Sequence, residues 1–209
     1  MEKEILNKKN NGWISTVEYL KQQIYSFSED YIKFLNEAKT EREATKYIIN
    51  ELENNGFKDI DKVDKLKTGD KVYMQNKGKN VYAAVIGTNK LTEGLNLIGS
   101  HIDSPRLDLK PNPLYEDVNL ALFKTHYYGG IKKYQWTTIP LAIHGIVVKP
   151  DGNKVEISIG ECESDPVFTI TDILPHLAME QYEKKIGKAI EGENLNILIG
   201  SIPSDNNSV

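Results

Sequence analysis

The run Asn96-Leu-Ile-Gly-Ser-His-Ile-Asp-Ser-Pro-Arg-Leu-Asp-Leu-Lys-Pro-Asn-Pro113 decides the reading of this chain. Its apolar start, ending in Gly99-Ser100, reads as a strand buried within a sheet. His101 and Asp103 follow at a spacing of two. On an extended backbone residues i and i+2 face the same way, so an imidazole and a carboxylate project together from the strand end. Open α/β sheets carry ligand and catalytic groups at such ends. Imidazole is a common ligand for a borderline metal such as zinc, and a nearby carboxylate can bridge, orient or tune it. Pro105 fixes the exit of the chain. The same pair alone also suits a plainer role, because polar groups at strand ends often only satisfy the backbone.

Upstream, the pattern is helical and then turns to strands. Trp13, Val17, Leu20 and Ile24 recur at three- and four-residue steps, and Tyr31, Phe34 and Leu35 continue the pattern, predicting helix over 13–38. Ser28, with Glu29 and Asp30 behind it, has the form of an N-cap for the second half of that stretch. Thr40-Glu-Arg-Glu43 has the form of a capping box, and Asn54-Asn-Gly56 that of a helix stop, so a second helix is expected from Thr40 to Asn54. Lys71–Met74, Asn80–Gly87 and Leu95–Gly99 read as strands, with a turn at Asn76–Asn80. The nearly continuous apolar run from Tyr82 to Ile86 predicts burial on both faces.

Downstream of Pro113 the signals are those of short strands: Leu120–His126, Thr138–Val148, Val155–Ile159, Val167–Ile170 and Leu195–Ile202. Pro150-Asp-Gly-Asn153 is a hairpin-type turn. Thr171–Tyr182 reads as mixed loop and helix. The expected fold class is therefore α/β, an α/β first part followed by a β-rich second part. The division falls at 1–115 and 116–209.

Composition narrows the class of function. The 209 residues are 39% hydrophobic and 27% charged with a net charge of −4, as in an ordinary globular protein. No basic stripe predicts nucleic acid as a partner. The single Cys162 rules out an intrachain disulfide and a cysteine-rich zinc site, and a free thiol suits a reducing cytoplasm. The polar start has no apolar segment of the signal-peptide kind, and no run reaches the ~18 apolar residues of a membrane span. His126 and His144 sit in strand contexts that suggest packed or hydrogen-bonded histidines. Lys132-Lys133 reads as a solvated turn, Asp172 as a cap or turn residue, and Cys162 as inert.

Ser100-His-Ile-Asp-Ser-Pro105 with Leu107-Asp-Leu-Lys-Pro-Asn-Pro113 resembles the signature of the M18 family of metalloaminopeptidases. Tyr128-Gly-Gly130, Ile139–Asp151 and Ile173-Leu-Pro-His-Leu-Ala178 are similar to later segments of that family, so the resemblance extends over nearly the whole chain. It implies the start of an α/β zinc-exopeptidase catalytic domain followed by a β-rich inserted oligomerisation domain. It implies hydrolysis of N-terminal residues from peptides at a two-zinc site, and a homo-oligomer. By the resemblance, His101 ligates one metal and Asp103 lies behind it as the catalytic carboxylate that tunes the site. His176, in the Pro-His-Leu-Ala segment, is carried over as a further metal or substrate residue. Many members continue that segment with Ile-His, where this chain has Met179-Glu180.

The family's remaining ligands, a bridging Asp, a Glu-Glu pair, a further acid and a last His, have no counterpart after Asp103. Glu161-Cys-Glu163 and Glu191-Gly-Glu193 are acid pairs in a different context. Two expectations follow. In one, the chain is the N-terminal part of an aminopeptidase. In the other, it is an inactive truncated piece that acts only as an oligomerising module.

Overall fold

A computed structural model describes residues 11–202. The chain forms two compact units, one ending at Ile102 and the other beginning at Asp103.

The first unit sets helices beside a small sheet. Helix α1 (Gly12–Ser15) is capped by the Asn11 side chain, which accepts from the Trp13 amide. Helix α2 runs unbroken over Glu18–Glu37. The expected cap at Ser28 is not formed. Nothing in Ser26-Phe-Ser28 breaks a helix, and the Ser28 hydroxyl instead donates back to the Ile24 carbonyl at 2.8 Å. Helix α3 (Glu41–Asn54) carries the expected capping box. Thr40 accepts from the Glu43 amide, and the Glu43 carboxylate accepts from the Thr40 amide. Its stop is the expected one, with Gly56 at φ +82°. Phe34 of α2 meets Tyr47 of α3 edge to face at 5.2 Å.

Strand β1 (Lys58–Asp59) pairs parallel with β2 (Lys71–Gln75), which pairs antiparallel with β3 (Val81–Val85). Lys77 and Gly78, both at positive φ, make the primed turn that suits the twist of this hairpin. Two expectations are corrected here. Strand β3 is the edge of its sheet, leaving Tyr82 57% and Val85 60% exposed rather than buried on both faces. Leu95–Gly99 is not a strand, and Leu97 and Ile98 are 85% and 96% exposed. An apolar run becomes a strand only when a neighbour takes up its N–H and C=O groups. Among the described residues none pairs with it.

The second unit is β-rich. Strand β4 (Arg106–Asp117) pairs antiparallel with β5 (Leu120–Tyr128), and β8 (Ile197–Gly200) lies on the other side of β5. Sequence reading passes over β4 because Pro111 and Pro113 interrupt it. The strand accommodates them as an irregularity between Leu109 and Leu114, with Asn112 at φ +57°. Val118-Asn119 closes the hairpin with both residues at positive φ, a strained setting for a β-branched valine. Strands β6 (Ile143–Val148) and β7 (Lys154–Ile159) form a second hairpin through the expected turn. Val167–Ile170 is reduced to isolated bridges, Phe168 to Leu141 and Thr169 to Leu198. Helices α4 (Met179–Glu183) and α5 (Ile186–Ala189) are short. Phe168, Ile170, Leu195 and Ile197 form the core, with Leu107, Phe123 and Trp136 packed against it. Each such apolar side chain contributes about 1.5–3 kcal/mol on burial.

Candidate active site

Asp103 opens the second unit, half-buried, and its position is set by the β4–β5 pairing. Arg106 is the register partner of Tyr128. The Tyr128 hydroxyl donates to Asp103 Oδ2 at 3.0 Å. The Arg106 guanidinium lies over the Tyr128 ring, 4.1 Å from its centroid, and its Nε donates to Asp108 Oδ1 at 2.7 Å. The result is a chain of contacts, Asp103–Tyr128–Arg106–Asp108, across one end of the hairpin. Gly129 follows at φ +78°, and a Cβ there would stand 3.7 Å from Pro105 Cα, so the backbone after Tyr128 turns against the backbone after Asp103.

His101 lies near the end of the first unit on an exposed segment without regular secondary structure, where the Ser100 hydroxyl donates to the His101 carbonyl at 3.0 Å. His176 stands exposed in a short 3-10 turn, Pro175–Leu177, which the Pro175 ring initiates. The donors suit zinc chemically, since imidazole and carboxylate are its ordinary nitrogen and oxygen ligands. Among the described residues, however, no group of three or more His, Cys, Asp or Glu is arranged to hold a metal ion.

The other polar candidates have structural partners. His144 Nε2 lies 2.8 Å from Glu161 Oε1, as expected of a hydrogen-bonded histidine. His126 is exposed and stacks on Tyr127 at 5.5 Å rather than packing into a core. Lys110 pairs with Glu193 at 2.6 Å and, through that hydrogen bond, holds the Glu193 carboxyl below its usual range. Asp165 is likewise held low, by the amides of Gly160 and Cys162. Asp172 accepts from the Ile173 amide and from Gln181, the turn role expected of it. Lys133 lies over the Tyr127 ring at 5.6 Å.

Tyr128, Arg106 and Asp108 are the residues whose contacts around Asp103 sequence reading missed. The signal was present in Arg106-Leu-Asp-Leu, whose alternation puts Arg106 and Asp108 on one face of a strand. Only the pairing with β5 brings Tyr128 onto it.

Helices beside a mixed sheet, followed by a β-rich unit, define the class as α/β. The profile of the family described as "Aminopeptidase I zinc metalloprotease (M18)" matches residues 34–208, and the chain belongs to that family. It is 49% identical over 207 residues to a probable M18 family aminopeptidase 1 of Clostridium acetobutylicum, a match that covers 97% of this chain and 44% of that protein. Its fold matches an M18 aminopeptidase from Thermotoga maritima with a TM-score of 0.86 at 47% identity, over 95% of this chain and 43% of that one. A dodecameric yeast aminopeptidase shares the fold at a TM-score of 0.62 and 23% identity. The chain thus spans less than half the length of the relatives it matches.

Proposed function

We propose that this chain supplies one arm of the site of a zinc-dependent aminopeptidase that removes N-terminal residues from peptides. The observation that carries the reading is the family match, which runs through Ser100-His-Ile-Asp-Ser-Pro105 and the β4 strand that fixes Asp103. His101, on an exposed segment, offers a ring nitrogen as a ligand. Asp103 places a carboxylate two residues away, which holds and tunes an imidazole or a bound water. His176 serves as a further metal or substrate contact. Zinc bound at such a site, two ions in the complete form, supplies an acidified water and a Lewis acid for the scissile carbonyl.

In this reading residues 1–115 belong to the zinc-exopeptidase catalytic domain and 116–209 to an inserted oligomerisation domain. The protein works in the cytoplasm, consistent with its single free cysteine. It assembles as a homo-oligomer, for which the yeast dodecamer is the support. A second reading is an inactive oligomerising module.

The test is activity on aminoacyl-nitroanilides with added zinc. Two proteins are compared: the 209-residue chain, and the same chain fused to the part of the Clostridium relative beyond the matched stretch. Turnover by the fusion alone supports the first reading. No turnover by a folded, zinc-loaded fusion supports the second.

A further inference from the structure

We propose that Tyr128 is the positioning residue for Asp103, holding one carboxylate oxygen so that the other is presented in a fixed direction. This rests on the assignment of Asp103 above. A carboxylate on a loop swings freely about two torsions, and a site that needs one of its oxygens must remove that freedom. The Tyr128 hydroxyl does so at Oδ2, 3.0 Å away. The bond spans 25 residues of sequence, so it exists only because β4 and β5 pair in this register.

The phenol is itself held. The Arg106 guanidinium covers one face of the ring at 4.1 Å, in cation–π contact. Arg106 in turn is pinned by the 2.7 Å bond to Asp108, two residues along the same strand face. A longer contact of 3.5 Å from Arg106 reaches the Ser104 carbonyl, in the segment that carries Asp103. Gly129 completes the arrangement. Its φ of +78° is a backbone conformation that a side chain here would strain, and it lies within ordinary contact range of Pro105. An aromatic hydroxyl suits the role, since it donates one proton and adds no charge that would compete with a metal for the carboxylate. Partners that hold ligands and their carboxylates commonly carry a 10- to 100-fold effect on metal affinity or activity.

The test is Tyr128→Phe, which keeps the ring beneath Arg106 and removes only the hydroxyl. In the metal-free 209-residue chain, carboxyl 13C NMR reads the bond directly, with the Asp103 resonance assigned from Asp103→Asn. The resonance is expected to move in Tyr128→Phe while that of Asp165 stays in place. An unmoved Asp103 resonance overturns the proposal. In the fused enzyme, Tyr128→Phe is expected to weaken zinc retention against a chelator about tenfold and to lower kcat by a similar factor with KM unchanged. A moved resonance with zinc retention and kcat within about twofold of the parent leaves the bond merely structural and overturns positioning. Asp103→Asn separates the two levels of the argument: if it leaves zinc retention and kcat intact, the assignment of Asp103 fails.

Discussion

Replacing Leu195 by alanine tests the framework on which the site hangs. Leu195 is completely buried among Phe168, Ile170 and Ile197, and its carbonyl accepts from the Thr125 hydroxyl of β5. It therefore ties the core to the strand that ends in Tyr128. Full burial within this cluster places the cost in the middle of the usual range, about 3–4 kcal/mol. For a unit of this size the urea slope is about 1 kcal/mol per M, so the midpoint should fall by about 3 M. The assay is tryptophan fluorescence in a Trp13→Phe background. Trp136, packed against the same core, is then the only tryptophan and reports the second unit alone. Leu177→Ala is the control: Leu177 is 73% exposed, and its removal should change stability by less than about 0.5 kcal/mol. A loss below about 1 kcal/mol for Leu195→Ala would refute the assignment of Leu195 as the centre of this core.

Further tests follow from the first unit. The Tyr73 phenol is pushed up to about 12, first by its 2.6 Å hydrogen bond to Glu53 and then by burial. Because the folded value is raised, the stabilisation is fully present below the ordinary tyrosine range near 10 and is lost as pH rises through about 12. Ultraviolet titration should show a late tyrosine that moves earlier in Glu53→Gln; an unchanged titration contradicts the bond. Leu97 and Ile98 are 85% and 96% exposed, so Leu97→Asp with Ile98→Asp should reduce binding of an apolar dye and leave the unfolding midpoint in place. A large drop in the midpoint would show that these side chains are buried in solution.

Local chemistry was readable wherever it is decided within a few residues. The Thr40–Glu43 box, the Gly56 stop and the turn after Pro150 all formed as read, because each depends on groups three or four positions apart. Ser28 misled because a serine followed by acids looks like a cap whether or not the helix has already begun. Tyr82–Ile86 and Leu95–Gly99 misled for a different reason. Apolar continuity reports what a segment is able to bury, and burial needs partners that these residues do not find in the described chain. Prolines concealed β4, because a strand with a local irregularity tolerates them. At the site, the His101–Asp103 spacing was visible in the sequence. The hold of Tyr128 on Asp103 was not, since it depends on strand register over 25 residues.

The central claim is that His101 is a zinc ligand whose remaining partners come from the rest of an M18 catalytic domain. Zinc content of the fused enzyme, measured by elemental analysis after gel filtration, tests it most directly. The account predicts that His101→Ala strips zinc while the elution volume stays that of the parent. Zinc retained at the parental level in a folded His101→Ala protein would contradict it.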